Sequence, residues 1–294
     1  MVESFKGTII IHTHLITFPM CFGLFKKNSN SLRPPTSKPV RPTTGLKETN
    51  PRTVLSSTPQ MPSTSTLVIA IDFGTTFTGV AYSHSTGATA TSMTDRLNGN
   101  GVAEKVIVIQ TWPDHNQQYA EKTPTIISYG TSPPIWGGGV KPKHNQKFQR
   151  FKLALEPTTK ILYGSRDGDL GDWPMDAGNR EPVDVTADYL TCVHKFVEDV
   201  FLPSTYGTEF LKNQRRLYLI TVPAIWSDLA KDLTRRAAAR AGIPDEKLFL
   251  VTEPEAAALY CATTCEEVDL DNGDHFLVCD AGGGTVVPIK QDWR

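Results

Sequence analysis

Residues 68–76 read Val68-Ile69-Ala70-Ile71-Asp72-Phe73-Gly74-Thr75-Thr76, a short apolar run that ends in an aspartate and a turn of glycine and threonine. A second stretch, Phe276 to Thr285, repeats this design around Asp280. Each apolar run predicts a buried strand. The glycines let backbone N–H groups approach a ligand closely, and a strand-end carboxylate suits the divalent cation that accompanies a polyphosphate. The two stretches together predict one nucleotide held from two sides.

The overall composition is that of an ordinary globular protein, with 294 residues, 39% hydrophobic content, 21% charged residues and a net charge of −1. The charge is unevenly distributed, because residues 1–66 contain eight lysines and arginines but only two acids. The remainder is therefore mildly acidic. Nucleic-acid binding requires clustered basic residues, so we expect no nucleic-acid partner.

Five cysteines are present, and they show no paired spacing typical of a metal site. Cys261 and Cys265 are four residues apart, but no second cysteine or histidine pair accompanies them. Buried small side chains explain them better than zinc ligands do. The odd number of cysteines favours a reducing compartment, and we expect a cytoplasmic location.

The N-terminal segment divides into two parts. The first, Thr8 to Phe25, is apolar, but two histidines and Pro19 interrupt it, so it fits neither a signal peptide nor a membrane span well. The second, Asn28 to Thr66, is rich in serine, threonine and proline and nearly lacks large apolar residues. We expect residues 1–66 to form a disordered, basic extension, and we do not expect membrane binding.

From Leu67 onward, the pattern predicts an α/β domain. Strands are predicted at 67–72 and 77–83, joined as a hairpin, and at 106–112 and 125–129. Helical spacing occurs at 145–155, through Phe148, Phe151 and Leu155, and at 185–201. Residues 156–180, rich in glycine and aspartate, predict a surface loop.

From Arg216 onward, strands and helices alternate. A strand at 217–222 precedes a helix that Ser227 or Asp228 caps, with Leu229, Leu233 and Ala237 on one face. A strand at 248–251 precedes a helix through 256–259, for which Thr252 and Glu255 are spaced as a capping box. This alternation is the kind of α/β crossover that connects the two glycine-rich turns.

Other nucleotide signatures are absent from the sequence. No P-loop lysine follows Gly74 to Gly79, and no dinucleotide fingerprint opens a helix after a strand. Either aspartate-glycine turn alone would be a weak indication, because ordinary strand corners use the same residues. As a pair joined by an α/β crossover, the two turns are a much stronger one.

Four motifs follow one another along the chain: Ile71 to Phe77, Thr221 to Trp226 with Ala237 to Gly242, Glu253 to Ala258, and Asp280 to Thr285. In this order they resemble the heat-shock chaperones of the seventy-kilodalton, DnaK-like family, and are most similar to its divergent branch with an actin-like ATPase domain. The resemblance covers residues 67–287. It implies an actin-like ATPase fold, which is ribonuclease H-like, with ATP or ADP and Mg²⁺ as ligands and with client proteins or cochaperones as partners.

The resemblance also implies roles for individual residues. Asp72 and Glu253 would contact Mg²⁺ mostly through water, and Asp280 would orient the attacking water and contribute to the same metal site. The β- and γ-phosphates would be contacted from one side by Gly74, Thr75, Thr76 and Phe77. They would be closed from the other side by Gly282, Gly283, Gly284 and Thr285. Such chemistry is phosphoryl transfer by positioning and charge neutralisation.

Lys152 is similar in location to the lysine that the family uses near the γ-phosphate, and we name it, with Asp280 and Glu253, as a catalytic candidate. A second interpretation explains this residue equally well. Lys152 follows Phe151 in a segment with helical spacing, and an exposed lysine on an amphipathic helix is common. The sequence leaves both interpretations open.

The chain departs from the family pattern in two ways. Val286 and Val287 follow Thr285, whereas the family has an apolar residue and then an aspartate that assists magnesium. Moreover, the chain ends at Arg294, so we expect a nearly complete first lobe at 67–266 and only the start of a second lobe at 267–294. We expect this C-terminal hairpin to be poorly held, with an open edge.

These observations favour an ATP-binding, heat-shock-70-like ATPase module in which hydrolysis by this chain alone is doubtful. A non-catalytic nucleotide-binding or interaction module is the alternative from another class. A sugar kinase of the same superfamily would share the phosphate turns, but the segments Val222-Pro223-Ala224 and Glu253-Pro254-Glu255 disfavour it.

Overall fold

The computed structural model describes residues 8–13, 65–85, 106–113, 119–156, 180–264, 275–281 and 286–292. In chain order, the strands are β1 (Thr8–Thr13), β2 (Thr66–Phe73), β3 (Phe77–Ser85), β4 (Ile107–Val108), β5 (Lys122–Pro124), β6 (Ile126–Ser128), β7 (Ile135–Trp136), β8 (Lys147–Gln149), β9 (Arg215–Val222), β10 (Leu248–Thr252), β11 (His275–Ala281) and β12 (Val286–Asp292). The α-helices are α1 (Pro182–Lys195), α2 (Leu202–Tyr206), α3 (Thr208–Lys212), α4 (Asp228–Arg240) and α5 (Glu253–Thr264). A π-helical turn, Phe196–Phe201, joins α1 to α2, and 3₁₀ turns lie at Gly137–Gly139, Phe151–Leu155 and Asp245–Lys247.

The main sheet is mixed and has the order β10-β9-β2-β3-β4. Strand β5 also pairs with β3, along its first three residues, 77–79. Strands β10, β9 and β2 run parallel, whereas β3 is antiparallel to β2. The carboxyl ends of the three parallel strands therefore lie side by side at one end of the sheet, its carboxyl edge. A smaller sheet, β7-β6-β8, follows β5.

The hairpin of β2 and β3 forms as the sequence predicts. Along β2, burial alternates strictly, and Leu67, Ile69, Ile71 and Phe73 lie in the core. Alternation of this kind fixes the strand register, because a slip by one residue would move every apolar side chain to the other face. The predicted strands before α4 and before α5 are likewise confirmed as β9 and β10.

The long helix that the sequence predicts at 185–201 is confirmed, with an earlier start. Pro182 occupies the first turn of α1, and Glu181 and Asp184 form a capping box. The helix packs against α4 and buries Val185, Tyr189 and Val193 in the core. The last part of the predicted segment is the π-helical turn Phe196–Phe201, which follows α1.

Helix α4 is capped as predicted, because the Ser227 hydroxyl accepts a hydrogen bond of 3.2 Å from the Ala230 N–H. The predicted apolar face is confirmed at Ala237, which is buried, and at Leu233, which is half-buried against the core, but it is wrong at Leu229, which is exposed. The other buried residues of the helix are Ala230, Thr234 and Ala238, so small side chains form most of the contact face.

The helix predicted at 145–155 is also wrong. Strand β8 pairs with β6, and Arg150 adopts a left-handed conformation with φ of 57°, after which the chain makes a 3₁₀ turn. The apolar residues that suggested a helix, Phe148, Phe151 and Leu155, are all buried. A strand, which contains Phe148, and a 3₁₀ turn, which contains Phe151 and Leu155, bury these side chains without a continuous helix.

A further sheet has the order β1-β11-β12. The antiparallel hairpin of β11 and β12 is the second predicted strand corner, and β1 pairs in parallel with the outer edge of β11. The expectation of an open edge is therefore wrong for β11. Strand β1 also departs from the expected disorder of 1–66, because Ile9, Ile10 and Ile11 are β-branched residues that suit a strand.

Several expectations lie outside the described residues. They include the disorder of 28–64, most of the loop at 156–180, and the glycine-rich turn at 282–285. Within the residues that the structure describes, we find no helix that is both long enough and apolar enough to span a bilayer.

The pairing of β1 with β11 is testable by hydrogen exchange. We expect the Ile10→Pro variant to lose protection at β11 amides, because proline in the middle of this short strand restricts the backbone and cannot donate to a ladder. The Ile10→Val variant, which keeps a β-branched side chain, should retain that protection. Amides of β9 and β10 serve as an internal reference in both variants. Equal protection of β11 in the proline variant would contradict the pairing.

Candidate functional site

The polar residues of the predicted site meet at the carboxyl edge of the main sheet. Asp72 is the penultimate residue of β2, Thr221 is the penultimate residue of the adjacent parallel strand β9, and Glu253 directly follows β10. In open α/β sheets, ligands bind in the crevice beyond this edge. The fold therefore gathers at one edge two carboxylates that lie 181 residues apart in the sequence.

Each of the two carboxylate oxygens of Asp72 accepts a hydrogen bond from another side chain. The Thr221 hydroxyl donates to Oδ1 at 2.9 Å, and the Lys122 ammonium donates to Oδ2 at 2.7 Å. The Asp72 side chain is 30% exposed, so solvent reaches this corner. Neither donor was predicted from the sequence. Thr221 is marked only by its hydroxyl at the end of an otherwise apolar strand, and no sequence pattern marks Lys122.

The turn after Asp72 is tight and requires glycine at its first position. The Gly74 N–H donates to the carbonyl of Phe77 at 3.1 Å, and a Cβ on Gly74 would lie 2.3 Å from that same oxygen. No other residue fits without moving the backbone. Thr75 and Thr76 are half-buried and Phe77 is exposed, which places the turn at the surface.

The buried residue Thr125 holds this turn in place through two hydrogen bonds, which form the Thr125 clamp. The Thr125 N–H donates to the Thr76 carbonyl at 2.8 Å, and the Thr125 hydroxyl donates to the Gly74 carbonyl at 2.9 Å. The same hydroxyl lies 2.9 Å from the Thr78 hydroxyl. These bonds fix the turn before any ligand arrives, which is the condition for preorganised binding. The sequence analysis did not identify Thr125.

Lys152 and Glu253 form an ion pair with 2.6 Å between Nζ and Oε1. Their side chains are only 2% and 11% exposed. The Lys152 ammonium also lies 5.6 Å from the centroid of the Phe73 ring and 5.5 Å from that of the Trp226 ring. The interpretation of Lys152 as an exposed lysine on an amphipathic helix is therefore wrong. Because breaking a buried pair leaves an uncompensated charge, each residue fixes the other.

The position of Glu253 is set by the start of α5. The Glu255 carboxylate accepts hydrogen bonds from the Thr252 N–H at 3.4 Å and from the Thr252 hydroxyl at 3.2 Å. The first of these bonds is one half of the predicted capping box. It fixes the strand-to-helix junction, and with it the point from which Glu253 reaches Lys152.

The backbone of the second corner repeats the first. Asp72 pairs with Gly79, and pairing ends one residue later, leaving the four residues 74–77 in the turn. Asp280 pairs with Val287, and pairing again ends one residue later, leaving the four residues 282–285. Asp280 thus occupies the position in its hairpin that Asp72 occupies in the first. The structure describes the backbone of Asp280, and the turn itself lies outside the described residues.

The donor set fits a magnesium ion that arrives with a phosphate ligand. Among the described residues, no group of three or more histidine, cysteine or acidic side chains is arranged to hold a metal. Mg²⁺, however, is usually bound through one or two carboxylates, several waters and the phosphates of a substrate. Asp72 and Glu253 supply carboxylates of this kind at one edge, so the residues present match shared coordination better than an all-protein cage.

Comparison with known proteins identifies chaperone relatives. The chain is 29% identical to heat shock 70 kDa protein 12A of Homo sapiens over 215 residues, which are 66% of this chain and 28% of the relative. It is 27% identical to heat shock 70 kDa protein 12B of Homo sapiens over 222 residues, 69% of this chain and 29% of the relative. A chaperone protein HscA homolog of Verminephrobacter eiseniae (strain EF01-2) is 38% identical over 111 residues, 37% of this chain and 15% of the relative.

No protein-family model matches the chain. The chain spans less than a third of the length of the three relatives. Its mixed sheet with helices is consistent with the actin-like ATPase fold that such relatives imply. These relatives bear the names of heat-shock-70-type chaperones, and the similarity to them, at 27% to 38% identity, supports a divergent heat-shock-70-like family for this chain.

Proposed function

We propose that this chain is an ATPase-type, nucleotide-binding module of a heat-shock-70-like chaperone, with ATP or ADP and Mg²⁺ as its ligands. The observation that carries the proposal is the meeting of Asp72, the clamped turn after it and the Lys152–Glu253 pair at one carboxyl edge. In this proposal, residues 67–266 are the first lobe and residues 267–294 begin the second. A cytoplasmic location and the binding of client proteins or cochaperones by the whole protein belong to the same proposal.

The first corner supplies the phosphate-binding elements. The Gly74 N–H holds the turn closed through its bond to the Phe77 carbonyl, and the backbone N–H groups of Thr75 to Phe77 contact the β- and γ-phosphates, with the Thr75 and Thr76 hydroxyls as further donors. The Thr125 clamp keeps the turn in place, so little ordering is needed on binding. Asp72 and Glu253 would hold Mg²⁺ mostly through water, and the ion would neutralise phosphate charge.

Lys152 supplies a fixed positive charge at the same edge. Its ammonium is buried, paired with Glu253 and flanked by two aromatic rings, so its position is determined by packing. A charge that does not reorganise during the reaction stabilises phosphoryl transfer most effectively. Asp280 orients the attacking water, and Gly282 to Thr285 contact the phosphates from the second hairpin.

A second candidate function is nucleotide binding without hydrolysis. Val287 favours this alternative, since it is the cross-strand partner of Asp280 and stands where the family pattern has an aspartate. An isopropyl group cannot hold water or a metal. The two candidates differ only in turnover, and they share the binding site of the first corner.

Nucleotide binding is tested by isothermal titration calorimetry with Mg-ADP and Mg-ATP. We expect the Asp72→Asn variant to bind about tenfold or more weakly, because hydrogen bonds and metal contacts lose a charged partner. The matched control is Asp232→Asn, which removes an exposed charge on α4. Absence of binding heat in the folded, unmodified protein would overturn the proposal, and equal weakening in both variants would remove the role of Asp72.

Hydrolysis is tested separately, by phosphate release under saturating Mg-ATP. We expect Asp280→Asn to reduce release to the background rate while Mg-ATP binding persists, because the substitution removes the group that orients water. Release that continues in this variant would refute the role of Asp280. Binding without release by the unmodified protein would favour the non-catalytic candidate.

A further inference from the structure

Three residues on three adjacent strands form a row beside the candidate site. Asp72 on β2 pairs with Gly79 on β3, and Gly79 pairs with Lys122 on β5. Asp72 and Lys122 therefore lie on strands that are not neighbours, with β3 between them. The Lys122 ammonium nevertheless reaches Asp72 Oδ2 at 2.7 Å.

Glycine at position 79 makes this contact possible. A Cβ on Gly79 would lie 3.3 Å from Lys122 Cγ and 3.6 Å from Lys122 Cε. The aliphatic stem of Lys122 thus crosses β3 over the Gly79 backbone, and a Cβ at this position would press against the stem and shift it by a few tenths of an ångström. The lysine stem is consequently held along a defined path, and its side chain is only 22% exposed.

The two lysines of the edge hold their carboxylates in different ways. Lys152 is almost fully buried and packs against aromatic rings, so it cannot leave Glu253 without exposing a buried charge. The Lys122 side chain is partly exposed, and its stem lies over a glycine backbone. Its ammonium can therefore move from Asp72 into solvent. Of the two, Lys122 is the lysine that is able to give up its carboxylate.

We propose that Lys122 is a built-in counter-cation that competes with a divalent metal ion for the Asp72 carboxylate. The inference rests on the proposed function, because it assigns Asp72 to the metal. Oδ1 accepts from the Thr221 hydroxyl and Oδ2 from the ammonium, and because the ammonium repels a divalent cation at the same carboxylate, the two cations compete for Asp72. Lys122 keeps the corner neutral when no metal is bound, and it yields Oδ2 when the metal enters.

If Lys122 competes with the metal, removing its charge should change two affinities in opposite directions: the affinity for a divalent cation and the affinity for metal-free ADP. Removing the ammonium takes one positive charge away from Asp72, and the more negative corner attracts a divalent cation and repels a metal-free polyphosphate. We expect Lys122→Met to bind Mn²⁺ about tenfold more tightly in the absence of nucleotide, because one unit of local charge changes at short range. The same variant should bind ADP less tightly in the presence of EDTA.

Mn²⁺ binding is measured by electron paramagnetic resonance on the protein alone, and ADP binding by calorimetry. Lys212→Met is the matched control, since Lys212 forms an exposed pair with Glu209 on α3 and the substitution changes net charge equally. Gly79→Ala is a second variant that keeps every charge but obstructs the path of the Lys122 stem. It should shift Mn²⁺ affinity in the same direction as Lys122→Met.

The outcomes separate this inference from the proposed function. If Mn²⁺ affinity is unchanged or falls in folded Lys122→Met protein, Lys122 is not a competing cation, even where Mg-ADP binding by the unmodified protein is intact. If the unmodified protein binds no nucleotide, the proposed function fails, whereas tighter Mn²⁺ binding by both site variants still supports the competition. A loss of ADP affinity that is equal with and without Mg²⁺, and without tighter Mn²⁺ binding, would make Lys122 a phosphate ligand and overturn the inference.

Discussion

The site depends on the parallel pairing of β2 with β9. In this register Ile71 lies opposite Ile220, which brings the Thr221 hydroxyl to Asp72. The register itself is fixed by burial, because the alternate residues of β2 belong to the core and a slip by one residue would expose them all. The apolar face of one strand thus determines where a carboxylate stands. Since β10 is parallel to β9, the same constraint brings Glu253 to the same edge.

Charge at this edge is balanced pairwise, by one buried and one accessible ion pair. The Lys152–Glu253 pair lies among Phe73 and Trp226, where desolvation is costly and a fixed geometry is required. The Lys122–Asp72 pair is partly exposed, so each partner keeps part of its hydration and the bond is weaker. In the proposed function, the site binds a polyanion with its cation, Lys152 is the group that stays in place, and Lys122 is the group that exchanges.

Local patterns explain what could be predicted from the sequence. The hairpin around Gly74 and the cap at Ser227 depend on neighbouring residues, and both form as expected. Thr125, Thr221 and Lys122 were missed because their partners lie 51, 149 and 50 residues away, and only sheet pairing brings them together. The helix predicted around Phe151 failed for a related reason. Its apolar spacing suited a helix, but pairing of β8 with β6 and the left-handed Arg150 divide the segment.

The two hairpins share a backbone plan but differ at one cross-strand position. Asp72 faces Gly79, and the space that glycine leaves is filled by the stem of a lysine from the next strand. Asp280 pairs with Val287, so valine stands where the first hairpin has glycine. The flanking strands correspond as well, since β1 lies parallel to β11 as β9 lies parallel to β2, with His12 opposite Asp280. The two hairpins therefore share their backbone pairing but not the glycine at this position, and the path of the Lys122 stem over β3 depends on that glycine.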